Sequence, residues 1–366
     1  MRTEELDYHL PRELVATRPA EPRDAARMMV VSRSDPSLLE HVTVRDLTGF
    51  MPDRALAAFN VTRVVPARFV GVREDTGGKI EGLYLSDGPR EGTWIALIKA
   101  RRFRAGAPIQ LETESGEPSG VHLHLLERDA SEGGAWIVRV ECEDGEHPDR
   151  ALERVGLTPL PPYIRAARKA MGIEEPDRHD RAWYQTVYAE RAGSVAAPTA
   201  GLHFTPDLLR ELASRGVVRA DVLLHVGTGT FRPIETETLE EHEMHREWCS
   251  VPRESAGAIS RAKAEGRPVV CVGTTSARCV ESFAPALVGN EPLPEMLDTD
   301  LMIAPGYRWR VTDGLMTNFH LPRSTLLAMV ASLFPEGMER LRAIYGEAVG
   351  RGYRFYSYGD AMLVLP

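Results

Sequence analysis

Residues 205–226, TPDLLRELASRGVVRADVLLHV, decide the fold. Thr205 is an N-cap, Pro206 sits in the first helical turn and Gly216 is the stop, so TPDLLRELASRG reads as a capped helix. VRADVLLHV, which follows at once, reads as a buried strand. The same alternation continues downstream. RESAGAISRAKAEGR (253–267) is helical, PVVCVG (268–273) is a second buried strand, and RSTLLAMVASLF (323–334) and GMERLRAIYGEAVGRG (337–352) are further helices. Helices alternating with buried strands predict an α/β domain with a mostly parallel sheet.

Upstream the period changes to two. RFVGVRE, KIEGLYL, TWIALIK, VHLHLLER and AWIVRVEC alternate apolar and polar residues between Gly, Pro, Asp and Ser turns. Short strands at this spacing predict a small antiparallel β-barrel. It ends in the acidic, turn-rich EDGEHPDR. The expected organisation is an α/β domain over 1–63 and 151–366, interrupted by a barrel insertion over 64–150.

The composition, 366 residues with 43% hydrophobic and 27% charged, is that of a folded globular protein. No apolar run is long enough for a membrane span, and the start MRTEELDYHL lacks a signal-peptide core. A cytoplasmic protein without membrane contact is expected, and nothing demands more than a monomer. Cys142, Cys249, Cys271 and Cys279 form no C-x-x-C pair, so free thiols are expected. A formal charge of −9 argues against a surface coated for nucleic acid, though local patches remain available.

Several segments could carry chemistry. GSVAAPTAGLHF (193–204) is a poor helix and a poor strand. It is either a connector or a wall of small residues against which a planar or charged ligand can lie. HVGTGTFRP (225–233) and VGTTSARCVES (272–282) each follow a buried strand, where open α/β sheets gather ligands. Their backbone N–H groups suit an anion, or they are tight turns. His203, His225, His242, His245 and His320 fall in this half, as proton-transfer groups or as hydrogen-bonded histidines. HEMH (242–245) could place two of them on one helical face, yet it is not H-E-x-x-H, and no metal is expected. Asn318, His320 and Arg323 lie in a polar loop before a helix. Arginines around aromatics, Arg101, Arg102 and Arg104 at Phe103 and Arg165 with Arg168 and Lys169 after Tyr163, suit phosphate and base contact or form a solvated basic face.

An ordered series of longer segments runs from end to end. It comprises LDYHLPRELVATRPAEPRDAARMMV, TRVVPAR, LPPYI, YQTVYAERAGSVAAPTAGLHFT, HVGTGTFRP, HEMHREW, VGTTSARCVES, APGYRWRVTDGLMTNFHLPRSTLLAMV and YRFYSYGDAML. In these the chain resembles the S-adenosylmethionine:tRNA ribosyltransferase-isomerase family of queuosine biosynthesis. The resemblance implies an α/β domain with an inserted β-barrel. It also implies transfer and isomerisation of the ribosyl part of S-adenosylmethionine onto 7-aminomethyl-7-deazaguanine at the tRNA wobble position. The product is an epoxycyclopentane, adenine and methionine leave, and S-adenosylmethionine is the donor substrate with no metal.

On this resemblance His203, His225, His242, His245 and His320 are the candidates for proton transfer, with Glu281 and Asp360 behind them. Ser194, Ala197, Pro198, Thr199 and Gly201, ending at Phe204, would wall the substrate pocket. Thr274, Thr275 and Asn318 join it, and the methionine carboxylate would meet Arg232 or the Gly227, Thr228, Gly229 and Thr230 backbone. Anticodon phosphates would meet Arg101, Arg102, Arg104, Arg165 and Lys169. The chain departs from the family where Asn-Asp-Thr-Arg becomes Asn60, Val61, Thr62 and Arg63, and where Ala182 and Trp183 replace Glu-Arg. Val61 slightly favours a relative that serves a free deazaguanine or other small acceptor. A tRNA-binding protein without catalysis is the third reading, opposed by the intact pocket segments.

Overall fold

The structure, a computed structural model, describes residues 1–99, 108–129, 134–143, 145, 147–227 and 234–366. The chain divides into two compact units. Met1–Arg63, Pro161–Glu174 and Gln185–Pro366 form one, and Val64–Leu160 with Glu175–Tyr184 form the other. The strands in chain order begin with β1 (Arg27–Ser32), β2 (Leu39–Thr43), β3 (Leu56–Asn60) and β4 (Thr62–Val64). The barrel strands follow as β5 (Arg68–Arg73), β6 (Lys79–Asp87), β7 (Thr93–Lys99), β8 (Pro108–Glu112), β9 (Pro118–Arg128) and β10 (Ala135–Cys142). Then come β11 (Arg191–Ser194), β12 (Val218–Leu224), β13 (Glu247–Ser250), β14 (Val269–Val272), β15 (Leu297–Thr299), β16 (Gly314–Asn318) and β17 (Ala361–Leu365).

The α/β unit is built on a nine-stranded sheet in the order β15-β13-β12-β3-β14-β16-β17-β1-β2. Its centre, β12-β3-β14-β16, is parallel, as is the β17–β1 pair. Antiparallel pairings at β13–β12, β16–β17 and β1–β2 make the whole sheet mixed. Strands β3, β14 and β16 are buried along their whole length, because both faces are covered. The alternation of side chains across each strand sorts them into two cores. Leu56, Ala58, Val269 and Cys271 point into one, and Ala57, Phe59, Val270 and Val272 into the other.

The deciding stretch behaves as its residues dictate. Thr205 Oγ1 accepts the Leu208 N–H at 3.2 Å, Pro206 opens the helix Pro206–Ser214, and Leu208 and Leu212 bury its inner stripe. Gly216, at φ +79, turns the chain into β12. β12 then pairs parallel to β3.

The second unit is a closed barrel, β10-β7-β6-β5-β8-β9. Gly82 lets the Phe69 ring fill the interior, since a Cβ there would lie 2.2 Å from the ring. Residues 151–160 and 175–184 group with the barrel, whereas the expected division placed them in the α/β domain. Ala151, Leu152 and Val155 of the helix Pro148–Val155 join the barrel core, and Leu157 exchanges backbone hydrogen bonds with Arg68. Asp177 Oδ1 then accepts the Thr158 N–H at 2.7 Å. Among the described residues no helix is long and apolar enough to cross a membrane. The four cysteines are free thiols, three of them buried.

Candidate functional site

The parallel strands end at one edge of the sheet, and a cleft opens there. Residues 197–200, 273–275, 317–321 and 356–357 line it, with Tyr163 and Val226. Each segment is placed by the sheet. Gly273, at φ +90, turns β14 into the helix Thr274–Ser282, and Ser276 Oγ donates to the Val272 carbonyl at 2.7 Å. Asn318 is the last residue of β16. The His320 N–H donates to Tyr345 Oη at 2.9 Å, and Tyr8 Oη donates to the His320 carbonyl, so this loop is tied to the core on both sides.

Across the cleft, Tyr356 has φ +73, a backbone cost that a bulky residue bears only where the surroundings enforce it. Its N–H donates to the Phe319 carbonyl at 3.0 Å and its ring packs on Tyr163 at 4.6 Å between centroids. Tyr163 Oη lies 2.6 Å from Ser357 Oγ, which fixes that ring. Burial raises the phenol pKa of both tyrosines, so the wall is neutral.

The five candidate histidines are not gathered at one point. His320 lines the cleft with Nε2 2.7 Å from Thr317 Oγ1, and burial pushes its pKa down to about 3. His203 lies behind the lining, with Nε2 3.2 Å from Asn318 Nδ2. Burial, reinforced by the Arg354 and Arg23 charges, holds it at about 3. His225 stacks on Trp248 at 5.0 Å, with Nδ1 2.8 Å from Thr62 Oγ1 and a pKa lowered by burial. His242 and His245 share no helical face, because residues 242–246 form an irregular segment leading into β13. The capped turn Leu239–Glu241 ends at His242. Burial and then the His245 charge lower the His242 pKa. Glu281 accepts the N–H groups of Arg310, Val311 and Thr312 together with Tyr307 Oη, and Asp360 accepts from Arg27 and Arg354. Neither carboxylate lines the cleft.

The small-residue segment divides in two. Ala197, Pro198 and Thr199 line the cleft together with Thr274, Thr275 and Asn318. Ser194 is buried and accepts the Val226 N–H at 3.0 Å, tying the segment to the chain beyond β12. Gly201 faces the interior, where a Cβ would come within 2.0 Å of Tyr188 Oη. Phe204 packs edge-on to Phe59 at 5.2 Å in the core. Gly227 donates its N–H to Glu247 Oε1 at 3.3 Å, and Glu247 is paired with Arg278 at 2.6 Å, both buried. Thr228, Gly229, Thr230 and Arg232 lie outside the described residues, as do Arg101, Arg102 and Arg104. Arg165 and Lys169 share the exposed face of the helix Pro162–Met171, whereas Arg168 turns inward to the Thr17 carbonyl. Val61 does not line the cleft; it is 5% exposed, in the apolar cluster with Tyr188 and Phe204.

Sequence reasoning missed Tyr163, Thr317, Tyr356 and Ser357 as lining residues. The available signal was FYSYG, hydroxyl-bearing residues and a glycine directly before a buried strand.

An α/β unit with a cleft of neutral polar groups at the carboxyl edge of its sheet, joined to a closed barrel, defines the class. Residues 3–364 match the queuosine biosynthesis protein family, and the chain belongs to it. It is 48% identical to an S-adenosylmethionine:tRNA ribosyltransferase-isomerase of Gloeobacter violaceus, covering 100% of this chain and 96% of that protein. The corresponding protein of Rubrobacter xylanophilus is 46% identical over 100% of this chain and 98% of its own. The crystal structure of a Thermotoga maritima S-adenosylmethionine tRNA ribosyltransferase is similar at a TM-score of 0.52 and 31% identity, over 99% of this chain and 100% of that one.

Proposed function

We propose that the protein is an S-adenosylmethionine:tRNA ribosyltransferase-isomerase. It moves the ribosyl part of S-adenosylmethionine onto 7-aminomethyl-7-deazaguanine at the tRNA wobble position and isomerises it to the epoxycyclopentane. Adenine and methionine are released. The observation that carries this reading is that four separated family segments, around residues 197, 274, 318 and 356, line one cleft. The α/β unit is the catalytic one, and the protein acts as a cytoplasmic monomer without a metal.

The chemistry asks first for removal of a proton from the carbon beside the sulfonium, then for protonation of departing adenine. His320 is the candidate histidine that lines the cleft; its low pKa keeps it neutral at pH 7 and makes it a weak base, so it serves as a neutral hydrogen-bonding group that orients the reacting atoms. Thr317 Oγ1, 2.7 Å from Nε2, holds the ring. The small side chains at 197–200 let the two substrates approach the backbone and each other closely, which supplies orientation. Arg165 and Lys169 offer an exposed positive face to the tRNA backbone.

The test is incubation with S-adenosylmethionine and tRNA carrying 7-aminomethyl-7-deazaguanine, followed by mass spectrometry of the digested nucleosides. The epoxycyclopentane nucleoside with stoichiometric adenine and methionine is expected. Adenine release with free deazaguanine but no product on tRNA would move the assignment to a small acceptor.

A further inference from the structure

Asn318 is 2% exposed at the end of β16, yet it lines the cleft. Its Nδ2 lies 3.2 Å from Nε2 of His203. With the amide nitrogen facing it, Nε2 is the unprotonated nitrogen of the neutral ring and accepts from the amide N–H₂, and the carbonyl oxygen is turned the other way. Among the described residues that oxygen, Oδ1, has no hydrogen-bond partner, and neither has the Thr275 hydroxyl at the start of the next helix. A buried amide oxygen left open in this way is unfavourable unless something fills it. No charged side chain is among the described residues lining the cleft. An ammonium donor would lie there without a counter-charge, whereas a neutral aryl amine would not. The Tyr163 and Tyr356 rings, packed on each other at an interplanar angle of 53°, supply a neutral aromatic wall for its ring system.

We propose that Asn318 Oδ1, aimed by His203, accepts an N–H from the exocyclic amine of a neutral heteroaromatic base held in the cleft. This rests on the proposed reaction, which brings two such bases together: adenine with its 6-amino group and 7-deazaguanine with its 2-amino group. His203 is then a positioning residue, and Asn318 is the group that reads the base.

The first measurement needs no variant. Titration calorimetry compares S-adenosylmethionine with its 6-oxo analogue. Steady-state kinetics compare KM for tRNA bearing 7-aminomethyl-7-deazaguanine with KM for tRNA whose wobble base lacks the 2-amino group. One of the two exchanges weakens binding by about tenfold or more. Loss in the first arm assigns the contact to adenine, and loss in the second assigns it to the acceptor base. Asn318→Ala abolishes that discrimination. His203→Gln keeps an acceptor for Asn318 Nδ2 and preserves the discrimination, while His203→Leu loses it and changes KM or Kd more than kcat. Equal binding of both analogue pairs by the unaltered protein overturns the proposal, as does discrimination that survives in Asn318→Ala. Discrimination that survives in His203→Leu overturns the positioning role. Failure of the unaltered protein to modify tRNA at all breaks the proposed function instead; the calorimetric arm still reads an Asn318–adenine contact, and calorimetry of the two tRNAs reads a contact to the acceptor base.

Discussion

In the α/β unit, His203 and His320 are 4% and 8% exposed and their ring nitrogens meet the neutral side chains of Asn318 and Thr317. In the barrel unit, His122 lies between Glu74 at 2.6 Å and Glu143 at 2.9 Å, and His124 meets Glu141 at 3.0 Å. The first pair is held at about 3 by burial. Burial would lower His122 too, but the Glu143 and Glu74 hydrogen bonds and charges outweigh it and the pKa is raised. The same residue type is driven toward its neutral form at His203 and His320 and toward its charged form at His122. The difference lies in whether a carboxylate is within reach, because a charge taken out of water needs one.

One ion pair from each unit gives a second contrast, and there the largest effect is expected. Arg278 and Glu247 form a pair at 2.6 Å with side-chain exposures of 6% and 3%, and Glu247 also holds the Gly227 N–H. Arg90 and Glu127 of the barrel stand 3.3 Å apart at 68% and 56%. Arg278→Met strands a buried carboxylate and should cost about 3–5 kcal/mol of unfolding free energy. Arg90→Met should cost under about 1 kcal/mol. Urea denaturation of the two variants side by side measures the gap, and equal costs would show that Glu247 is solvated when alone.

Acid sharpens the comparison at a smaller scale. For His203 and His320 the folded pKa, about 3, lies below the unfolded value of about 6.5. Between those limits the unfolded chain binds more protons. The stability is therefore complete above pH 6.5 and is lost as pH falls, by about 1.4 kcal/mol per pH unit for each histidine. His320→Gln should remove one such contribution. Its urea midpoint should then decline less steeply than that of the unaltered protein between pH 6.5 and 4.5. Parallel declines would mean that the ring is hydrated.

How far these features can be read in the sequence depends on range. The barrel strands around Phe69, Trp94 and Leu123 show their period-two alternation locally, and so do the Thr205 cap and the Gly216 stop. PIQLE, which forms β8, alternates as the others do, but it is only five residues long and opens on a proline, so it does not stand out. Leu157 and Asp177 group with the barrel through pairings with Arg68 and Thr158, which no local pattern shows. At the cleft, 197–200, 273–275 and 318–320 follow strand ends and could be found from that rule. Tyr163 and Tyr356 could not, since they meet across nearly two hundred residues and only the fold brings their rings to 4.6 Å. Gly201 and Phe204 look like ligand-facing residues in a string of small ones, yet Tyr188 and Phe59 claim them for packing.

The smallest effect carries the opposite sign and so tests the contrast most directly. A raised folded pKa means that the stability from the His122 pairs is fully present below about pH 6.5 and fades as pH rises through the folded value. His122→Gln should therefore cost more at pH 6 than at pH 8.5, whereas removing His320 gains relative stability on the acid side. Glu74 and Glu143 are 40% and 67% exposed, so water screens the attraction, and the difference should stay under about 1 kcal/mol and shrink in high salt. Stability curves of His122→Gln at the two pH values, each at low and at high salt, read this directly. A larger cost at pH 8.5, or one indifferent to salt, would show that His122 is held by packing, and would remove the contrast between it and the buried histidines.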